Sequence, residues 1–553
     1  MAMHQSLLDN NPRKSVSKTI CLIFSVAVVL TSSALIASYL SKPSPLFNHG
    51  ISHRVCDHAI DPSACLAHVL EVEQDPMFGA TQNHRFGLLQ SFLMKSTSHI
   101  ERVIGAANAM RVRMNNPGEE AALRDCVELM ELSVDRVWDS KASLTKGTTD
   151  SAQDAHTWLS SVLTNHVTCL EGLKGRARRV MEAEVQDLIS RARSSLAMFV
   201  AVLPPNPEVE VVSLNGKFPS WVRSKDRRLL ESSAGEIKAN VVVAQDGSGD
   251  FFTVAEALAT VPNKSKKRYV IHVKNGTYTE KLEIGKKQKN VMLVGDSMDL
   301  TIITGNVSVT NETSTFHTAT VAAVGDGFIA QDIWFKNFAG PEKHQAVALR
   351  VGADQSVINR CRVDAYQDTL YVHSNRQFYR DSYVTGTVDF VFGNAAAVFQ
   401  NCTLEARKPM KGQKNMVTAQ SRTDPNQNTG ISIQQCNISP SEDLRPEIKS
   451  FKTYLGRPWQ NFSRTVVMQS FLDKHIDPEG WSEWDEKHKS YLETLYYGEY
   501  MNRGPGAGTG GRVNWTGYHI IKSAAVANQF TVKNLIQGDV WLKNSGVNFI
   551  EGL

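Results

Sequence analysis

Two aspartates in apolar, aromatic surroundings are the residues of this chain whose types and spacing could do chemistry. Asp368 lies in YQDTLY and Asp389 in GTVDFVFG, 21 residues further on. Carboxylates are rarely buried among such neighbours without a partner or a function. Two neighbouring carboxylates repel each other, so that one pKa rises while the other group stays ionised. This divides the roles of acid and nucleophile between the two groups.

Two glutamines and an arginine complete the candidate site. Gln345, Gln367 and Asp389 follow each other at intervals of 22 residues. Side-chain amides can donate to a developing oxyanion, and Arg457 in YLGRPWQ can orient an ionised carboxylate. Trp459 offers a flat surface for a sugar ring. The set suits acyl transfer by a carboxylate nucleophile without a metal or cofactor, although glycosidases also use paired carboxylates.

The elements that must position these residues are short strand-like runs, which begin at Val241. Four runs, VINRCRVDA, QFYRDSYVTG, AVFQNCTLEA and SIQQCNIS, align in one column on Cys361, Ser382, Cys402 and Cys436, with two similar intervals followed by a longer one. Such a repeat favours a parallel β-helix over a sandwich. Residues one coil apart then become neighbours at about 4.8 Å, so we expect the two aspartates on adjacent coils with the glutamines alongside.

The region from about 50 to 200 has helical periodicity instead. In SAQDAHTWLSSVLTNHVTCLEGL, residues such as Ala155, Leu159 and Val162 recur three and four apart, as on one face of a helix. This pattern predicts an all-α bundle. The following segment, 203–238, breaks the pattern with prolines, glycines and charges and is predicted to be a linker. Within it, Arg227 and Arg228 in RRLL form a candidate processing site.

The N-terminus predicts a membrane anchor. Thr19–Leu40 is a run of 22 uncharged residues preceded by Arg13, Lys14 and Lys18, which is long enough to span a bilayer and has a basic flank. We interpret residues 1–18 as a cytoplasmic tail, 19–40 as a signal-anchor helix, and the remainder as lumenal. A buried helix of a soluble domain is the alternative interpretation.

Other features are typical of a secreted surface. Asn-x-Ser/Thr sequons occur at Asn263, Asn275, Asn306, Asn311, Asn401, Asn437, Asn461 and Asn514, and each is a candidate for glycosylation. Disulfide bonds are plausible in that compartment, although spacing alone does not fix which cysteines pair. The formal net charge of +4 is too small to indicate a nucleic-acid partner.

Five motifs give the chain a specific resemblance. GTYTE, QAVAL, YQDTLY, GTVDFVFG and LGRPW occur in order between Gly276 and Trp459. Residues 239–553 thereby resemble the plant pectin methylesterases, carbohydrate esterases with a right-handed parallel β-helix. Residues 48–202 resemble the pectin methylesterase inhibitor domain, an all-α four-helix bundle, that precedes many of these enzymes.

The resemblance implies a role for each matching residue. Asp389 matches the nucleophile, Asp368 the proton donor and general acid/base, and Gln367 the transition-state stabiliser. The positions that match substrate-binding residues are Thr315, Gln345, Arg457 and Trp459. Phe392 is a candidate aromatic wall of the site, with a purely structural core position as the alternative. The pairs Cys56–Cys65, Cys126–Cys169 and Cys402–Cys436 match candidate disulfides. Many relatives carry a cysteine where this chain has Trp334, so Cys361 is expected to lack a partner.

The implied function is hydrolysis of the methyl esters of cell-wall homogalacturonan, giving pectate and methanol. The helical domain would inhibit the esterase until a subtilisin-like protease cuts after RRLL. Separate inhibitor proteins are further expected partners, and a monomer secreted to the cell wall is the expected form. A β-helix lyase or glycosidase, and a catalytically silent pectin-binding or inhibitor-type protein, are the alternatives.

Overall fold

A computed structural model describes residues 54–74, 86–203, 237–310 and 312–553. The predicted anchor 19–40, the dibasic pair Arg227 and Arg228, and the sequon at Asn311 lie outside these residues. Within the described ranges, no helix combines the length and the apolar character that crossing a bilayer requires. The anchor therefore stays a prediction from the sequence.

The N-terminal region is all helical. Its helices are α1 (Pro62–Glu73), α2 (Gly87–Arg111), α3 (Pro117–Lys146), α4 (Thr149–Gly172) and α5 (Gly175–Val202). Local signals set the turn between α3 and α4: Gly147 ends α3 with a φ of 70°, and Thr148 forms a capping box with Ser151. Because only two residues separate these helices, they pack side by side around one hydrophobic core.

Two disulfide bonds stabilise the helical region. Cys56, which precedes α1, is bonded to Cys65 within α1. A second bond, between Cys126 and Cys169, joins α3 to α4. Both pairings agree with those that the resemblance implies. All four sulfur atoms lie in the buried core of this region.

The C-terminal region is a solenoid of parallel strands arranged in three sheets. Sheet 1 contains β1 (Val241–Val243), β2 (Tyr269–Val273), β5 (Val291–Gly295), β8 (Ile329–Gln331), β11 (Ser356–Asn359), β14 (Arg376–Arg380), β17 (Ala396–Gln400), β20 (Gly430–Gln434), β23 (Arg464–Met468), β25 (Tyr496–Tyr500) and β26 (Tyr518–Ile520). Sheet 2 contains β4 (Leu282–Ile284), β7 (Val321–Ala323), β10 (Leu349–Val351), β13 (Leu370–Val372), β16 (Val391–Gly393), β19 (Asn415–Gln420) and β22 (Thr453–Gly456). Sheet 3 contains β3 (Gly276–Thr279), β6 (Thr301–Gly305), β9 (Trp334–Asn337), β12 (Arg362–Asp364), β15 (Tyr383–Gly386), β18 (Thr403–Ala406), β21 (Asn437–Pro440) and β24 (Phe471–Leu472).

Short helices close the solenoid. They are α6 (Val254–Ala259), α7 (Tyr491–Thr494), α8 (Ala524–Asn528), α9 (Val532–Ile536) and α10 (Gly538–Trp541). Helices α9 and α10 pack on the outer face of sheet 1, where they cover apolar side chains such as Phe378 and Val398. The outer face of sheet 1 is therefore buried under these helices. The candidate site lies on sheet 2.

The repeat column found in the sequence is a corner of the solenoid. Cys361, Ser382, Cys402 and Cys436 each lie between a strand of sheet 1 and the next strand of sheet 3. The residue before each has a left-handed backbone, with φ of 48°, 48°, 54° and 54°, which turns the chain sharply. The backbone N–H of Cys361 donates to Ser382 Oγ at 3.1 Å. The parallel β-helix predicted from this column is thus observed.

The predicted bond between Cys402 and Cys436 is wrong in this structure. Among the described cysteines, Cys361, Cys402 and Cys436 are unpaired and buried. The backbone N–H of Cys402 donates to Cys436 Sγ at 3.3 Å, and both thiols lie against main-chain carbonyl oxygens. Backbone pairing between coils already holds this corner together, so the thiols act as small buried side chains. Cys361 lacks a disulfide partner, as expected.

Candidate active site

Asp368 and Asp389 lie where two successive coils enter sheet 2. Leu370 pairs with Val391 in the ladder between β13 and β16, and the backbone N–H of Asp368 donates to the Val388 oxygen at 3.0 Å. The aspartates therefore stack directly, at equivalent positions of adjacent coils. Both have left-handed backbones, with φ of 61° and 52°, and both are nearly buried, at 8% and 5% exposed. The same left-handed conformation recurs at the corners of this solenoid, where it turns the chain between strands.

Arg457 fixes the second of these carboxylates. Its Nε donates to Asp389 Oδ1 at 2.8 Å and its Nη2 donates to Asp389 Oδ2 at 2.6 Å. Arg457 follows β22, which lies two coils beyond β16 in sheet 2. The guanidinium also lies over the Trp484 ring, 4.1 Å from its centroid. A bidentate, charge-assisted pair of this kind holds the orientation of the Asp389 carboxylate.

The environment of Asp368 has the opposite effect. Burial and the neighbouring charge of Asp389 raise the pKa of Asp368 well above its ordinary value, and Arg457 only partly offsets them. Because the two carboxyl groups interact, their protonation is a property of the pair. The raised pKa favours a protonated Asp368 beside the Asp389 carboxylate that Arg457 orients.

The two glutamines lie next to the aspartates. Gln345 and Gln367 form a parallel bridge between neighbouring coils, and the backbone N–H of Ala346 donates to the Gln367 oxygen at 3.2 Å. Gln367 directly precedes Asp368, and both glutamines are half-buried. The bridge places the two glutamines on adjacent coils beside Asp368 in the chain, and side-chain amides can donate hydrogen bonds.

An aromatic strip runs across the coils beside the carboxylates. We define it by Phe316, Tyr371, Phe392, Trp459 and Trp484. Tyr371 and Phe392 occupy paired positions of β13 and β16, and their rings stack with centroids 4.2 Å apart. Phe316 meets Tyr371 edge-on at 6.5 Å, and Trp459 lies 6.0 Å from Phe392. A strip of flat apolar faces next to a few polar groups is typical of a ligand site.

Sequence reasoning identified Trp459, and noted Phe392 as a candidate wall, but missed three members of the strip. Tyr371 could have been found, because Tyr371 and Phe392 each follow an aspartate of the pair by three residues. Phe316 lies in a single helical turn and Trp484 in an irregular segment, where no repeat indicates their neighbours. Thr315 begins the helical turn Thr315–His317 and is half-buried next to Phe316, so the structure places it at one end of the strip.

The helical region covers this strip. Phe316, Tyr371 and Phe392 are at most 4% exposed and belong to the same hydrophobic core as the helices. Near the middle of the contact, Thr168 Oγ1 lies 3.1 Å from His373 Nε2, and Asn394 Nδ2 donates to Thr164 Oγ1 at 2.9 Å. Residues of α4 therefore lie over sheet 2 at the coils that carry the two aspartates.

Ion pairs fix the helical region at the edge of the contact. Arg136 of α3 donates to both carboxylate oxygens of Asp326, at 3.1 and 2.5 Å. Arg376 belongs to the solenoid. Its Nη2 lies 2.7 Å from Asp354 Oδ2 of the solenoid and 2.8 Å from Asp154 Oδ1 of α4. These arginines are almost completely buried. Buried, paired charges of this kind are costly to separate, so the two regions form an extensive, specific interface.

The described sequons lie mostly on the surface. Asn263, Asn275, Asn306, Asn401, Asn437 and Asn514 are exposed, and Asn461 is half-buried. Glycosylation at these sites stays a prediction.

The fold and the site together define a class of protein. A parallel β-helix carries paired carboxylates, one fixed by an arginine and one with a raised pKa, beside an aromatic strip. This arrangement of residues is typical of a carboxylate-dependent hydrolase. Because the aromatic strip crosses several coils, it suits a long substrate.

Comparison with known proteins identifies the family. The Pectinesterase family matches residues 240–539, and the Plant invertase/pectin methylesterase inhibitor family matches residues 51–198. A Pectinesterase/pectinesterase inhibitor of Ficus pumila var. awkeotsang is 54% identical over 532 residues, which is 95% of each chain. Pectinesterase/pectinesterase inhibitor 18 of Arabidopsis thaliana is 51% identical over 560 residues, covering 100% of this chain and 99% of its own.

A solved structure extends this comparison. Pectin methylesterase from carrot is 56% identical, with a TM-score of 0.56, and the match covers 57% of this chain and 99% of the carrot chain. The chain described here belongs to the pectinesterase family and carries an N-terminal domain of the inhibitor family. The resemblance drawn from the five motifs is confirmed.

Proposed function

We propose that the chain hydrolyses the methyl esters of homogalacturonan, the galacturonate polymer of pectin, through an acyl-enzyme on Asp389. The observation that carries this proposal is the asymmetry of the carboxylate pair. Arg457 holds Asp389 with two hydrogen bonds, whereas burial favours a protonated Asp368. A nucleophile and an acid are therefore available side by side at neutral pH.

In the first step, a carboxylate oxygen of Asp389 attacks the C6 carbonyl carbon of a methylesterified galacturonate. The oxyanion that develops accepts hydrogen bonds from the amides of Gln367 and Gln345. The bond from C6 to the methoxy oxygen breaks while Asp368 donates its proton to that oxygen, and methanol leaves. Asp368 is then ionised, and C6 is bonded to Asp389.

In the second step, Asp368 takes a proton from a water molecule whose oxygen attacks C6. The bond to Asp389 breaks, so that Asp389 is again ionised and Asp368 is again protonated. The galacturonic acid that is released ionises in solution. Since aspartate is a weak nucleophile, positioning by Arg457 and stabilisation of the oxyanion must supply much of the rate.

The helical domain is proposed to keep the esterase inactive before processing. Support comes from its position, since it buries Phe316, Tyr371 and Phe392 beside the carboxylates. We infer a four-helix bundle of α2 to α5 within residues 48–202, a linker at 203–238 and a catalytic domain at 239–553. A subtilisin-like protease would cut the linker at Arg227 and Arg228, in a secretory precursor anchored by residues 19–40, and release a monomeric esterase to the cell wall.

Methanol release from highly methylesterified pectin tests the proposal. The full chain would be compared with the same chain cut at a specific protease site placed in the linker, and with the cut Asp389→Asn variant. We expect release only from the cut wild-type protein. Asp381→Asn is the matched control, because Asp381 is also a left-handed corner aspartate, with φ of 48°, but lies on a different corner.

Activity that survives in Asp389→Asn would assign the nucleophile elsewhere. Equal activity before and after cutting would show that the helical domain does not inhibit. Pectin binding without any methanol release would favour the alternative, a catalytically silent pectin-binding protein. The intact pair of Asp389 and Arg457 weighs against that alternative.

A further inference from the structure

One end of the aromatic strip is basic. Arg350 is 2% exposed, and its guanidinium lies over Phe316, 3.5 Å from the ring centroid. His317 follows Phe316, and Lys281 Nζ donates to the His317 backbone oxygen at 2.7 Å. We call Lys281, His317 and Arg350 the basic end of the strip. None of these residues has a part in the mechanism described above.

The register of sheet 2 fixes the position of the basic end relative to the nucleophile. Arg350 pairs with Tyr371, and Tyr371 pairs with Phe392. Since neighbouring strands are about 4.8 Å apart, Arg350 lies about 10 Å from the coil that carries Asp389 and Phe392. Arg350, Tyr371 and Phe392 are on the same outward face of the sheet. A polymer that lies across the coils with one sugar at Asp389 therefore brings a different sugar to Arg350.

Carboxylates of the helical domain occupy the basic end in the uncut chain. Asp125 and Glu128 lie one turn apart on α3. Asp125 Oδ1 is 2.8 Å from His317 Nε2, and Glu128 Oε1 is 3.8 Å from Arg350 Nη2. Ser314 Oγ also donates to Asp125 Oδ2 at 2.6 Å. The inhibitor domain thus presents two carboxyl groups, about one helical turn apart, to a surface that borders the reaction centre.

The pairing of Arg350 with Glu128 is incomplete. The Arg350 Nε–H has no hydrogen-bond acceptor among the described residues, although it is buried. Burial raises the pKa of Glu128 even with Arg350 nearby, because a contact as long as 3.8 Å compensates little of the desolvation of this carboxylate. Arginine binds carboxylates best with two parallel hydrogen bonds, and Arg350 has donors left over for such a ligand.

We propose that the basic end, through Arg350, is a subsite for the free carboxylate of a galacturonate that has already lost its methyl group. Asp125 and Glu128 occupy the same subsite in the uncut chain as mimics of that carboxylate. A methylesterified galacturonate is neutral and forms no such ion pair, so the subsite distinguishes de-esterified from esterified neighbours of the reacting sugar. The inference rests on the proposed function for the identity of the polymer.

The alternative is that Arg350 only packs against Phe316 as a buried cation–π pair. A matched control exists for this alternative. Arg362 of β12 lies over Trp334 at 4.3 Å, and its Nε–H also lacks a hydrogen-bond acceptor within the described ranges. Arg362 is on sheet 3, away from the strip. The variant Arg362→Gln therefore measures how the loss of a stacked arginine affects the protein without any change at the strip.

The test uses the full chain, folded and then cut at a protease site placed in the linker, with the solenoid recovered by size exclusion. Calorimetry measures binding of a fully de-esterified oligogalacturonate to the wild type and to Arg350→Gln, Arg350→Lys and Arg362→Gln. We expect Arg350→Gln to raise Kd about tenfold, the usual effect of losing a hydrogen-bonded charge pair. Arg350→Lys should recover part of this loss, and Arg362→Gln should bind like the wild type.

Methanol release separates this inference from the proposed function. Arg350→Gln should raise KM, and thereby lower kcat/KM, more on partly de-esterified pectin than on fully esterified pectin. Unchanged oligogalacturonate binding in Arg350→Gln, or equal losses in Arg350→Gln and Arg362→Gln, would overturn the subsite. If the wild type binds through Arg350 but releases no methanol from either pectin, the esterase assignment fails and the subsite stands.

Discussion

Arg457 reaches back across two coils to hold Asp389 with hydrogen bonds of 2.8 and 2.6 Å, while Asp368 stacks one coil away from Asp389 on the other side. Arg457 orients one carboxylate while burial raises the pKa of the other, so that two chemically identical side chains differ. The pair would otherwise share one proton between equivalent positions, as close carboxylates do.

Replacing Arg457 should remove the contact that orients Asp389. We expect Arg457→Lys, which keeps the charge but not the two parallel hydrogen bonds, to lower kcat for methanol release by about a hundredfold or more. Arg457→Ala should lower it further. The control is Arg360→Lys, because Arg360 makes the same bidentate contact with Asp332, at 2.8 and 2.7 Å, on an outer corner. A kcat near that of the wild type in Arg457→Lys would contradict the role given to the arginine.

Asp368 should make the solenoid less stable as the pH rises. Its pKa is raised in the folded protein, whereas an unfolded aspartate titrates near pH 4. Between these two values the folded state binds more protons than the unfolded state, so the free energy of unfolding falls with increasing pH. Each unit by which the pKa is raised corresponds to about 1.4 kcal/mol.

The variant Asp368→Asn lacks this titration and should be inactive. Its unfolding temperature should match that of the wild type near pH 4 and exceed it increasingly as the pH rises above that value. Thermal unfolding of the cut protein at several pH values measures the difference, with Asp381→Asn as the control for an asparagine at a left-handed corner. A difference that does not vary with pH would mean that Asp368 does not carry a raised pKa.

Loss of Arg136 should activate the uncut chain. Truncation leaves the half-buried Asp326 at the domain interface with Lys289, at 3.0 Å, as its remaining cationic partner, and breaking a buried charge pair costs about 2–5 kcal/mol. Methanol release by uncut Arg136→Ala should exceed that of the uncut wild type at least tenfold, about what a shift of this size in the docking equilibrium gives. Arg124→Ala is the control, since Arg124 is exposed on the same helix and pairs with Glu120 of that helix. Equal rates in the two variants would argue against docking as the source of inhibition.

The two disulfides should contribute unequally to the helical domain. Cys126–Cys169 closes a loop of 43 residues and Cys56–Cys65 one of 9. The loss of loop entropy in the unfolded chain corresponds to about 4 kcal/mol for the longer loop and about 2.6 kcal/mol for the shorter. Double alanine variants should lower the unfolding temperature of the domain in that order. The reverse order would indicate that local packing around Cys56 contributes more to stability than the difference in loop entropy between the two disulfides.

The sequence predicts the solenoid because its corners repeat. Cys361, Ser382, Cys402 and Cys436 occupy equivalent corner positions, and this equivalence requires small buried side chains at the same point of every coil. The same repeat places Asp368 and Asp389 on adjacent coils. However, the equal intervals of 22 residues match the strand register only between Gln345 and Gln367, and not between Gln367 and Asp389. Leu370 pairs with Val391, so that Asp368 and not Gln367 lies beside Asp389.

Contacts made by irregular segments could not be predicted in this way. Phe316 and Trp484 reach the strip from loops, and Arg350 resembles any other residue of a β-strand until the helical domain is seen above it. The unpaired state of Cys402 and Cys436 is a further example. Two cysteines in one column are expected to be close together. In a solenoid, however, strand pairing between coils already brings them together, so their proximity does not require a disulfide bond.

The distance along the chain between Asp389 and Arg457 has a consequence for synthesis. The ribosome synthesises β16 before β22, so a nascent chain contains both aspartates before it contains Arg457. The bidentate contact that holds Asp389 therefore forms only after the coil of β22 has joined the solenoid.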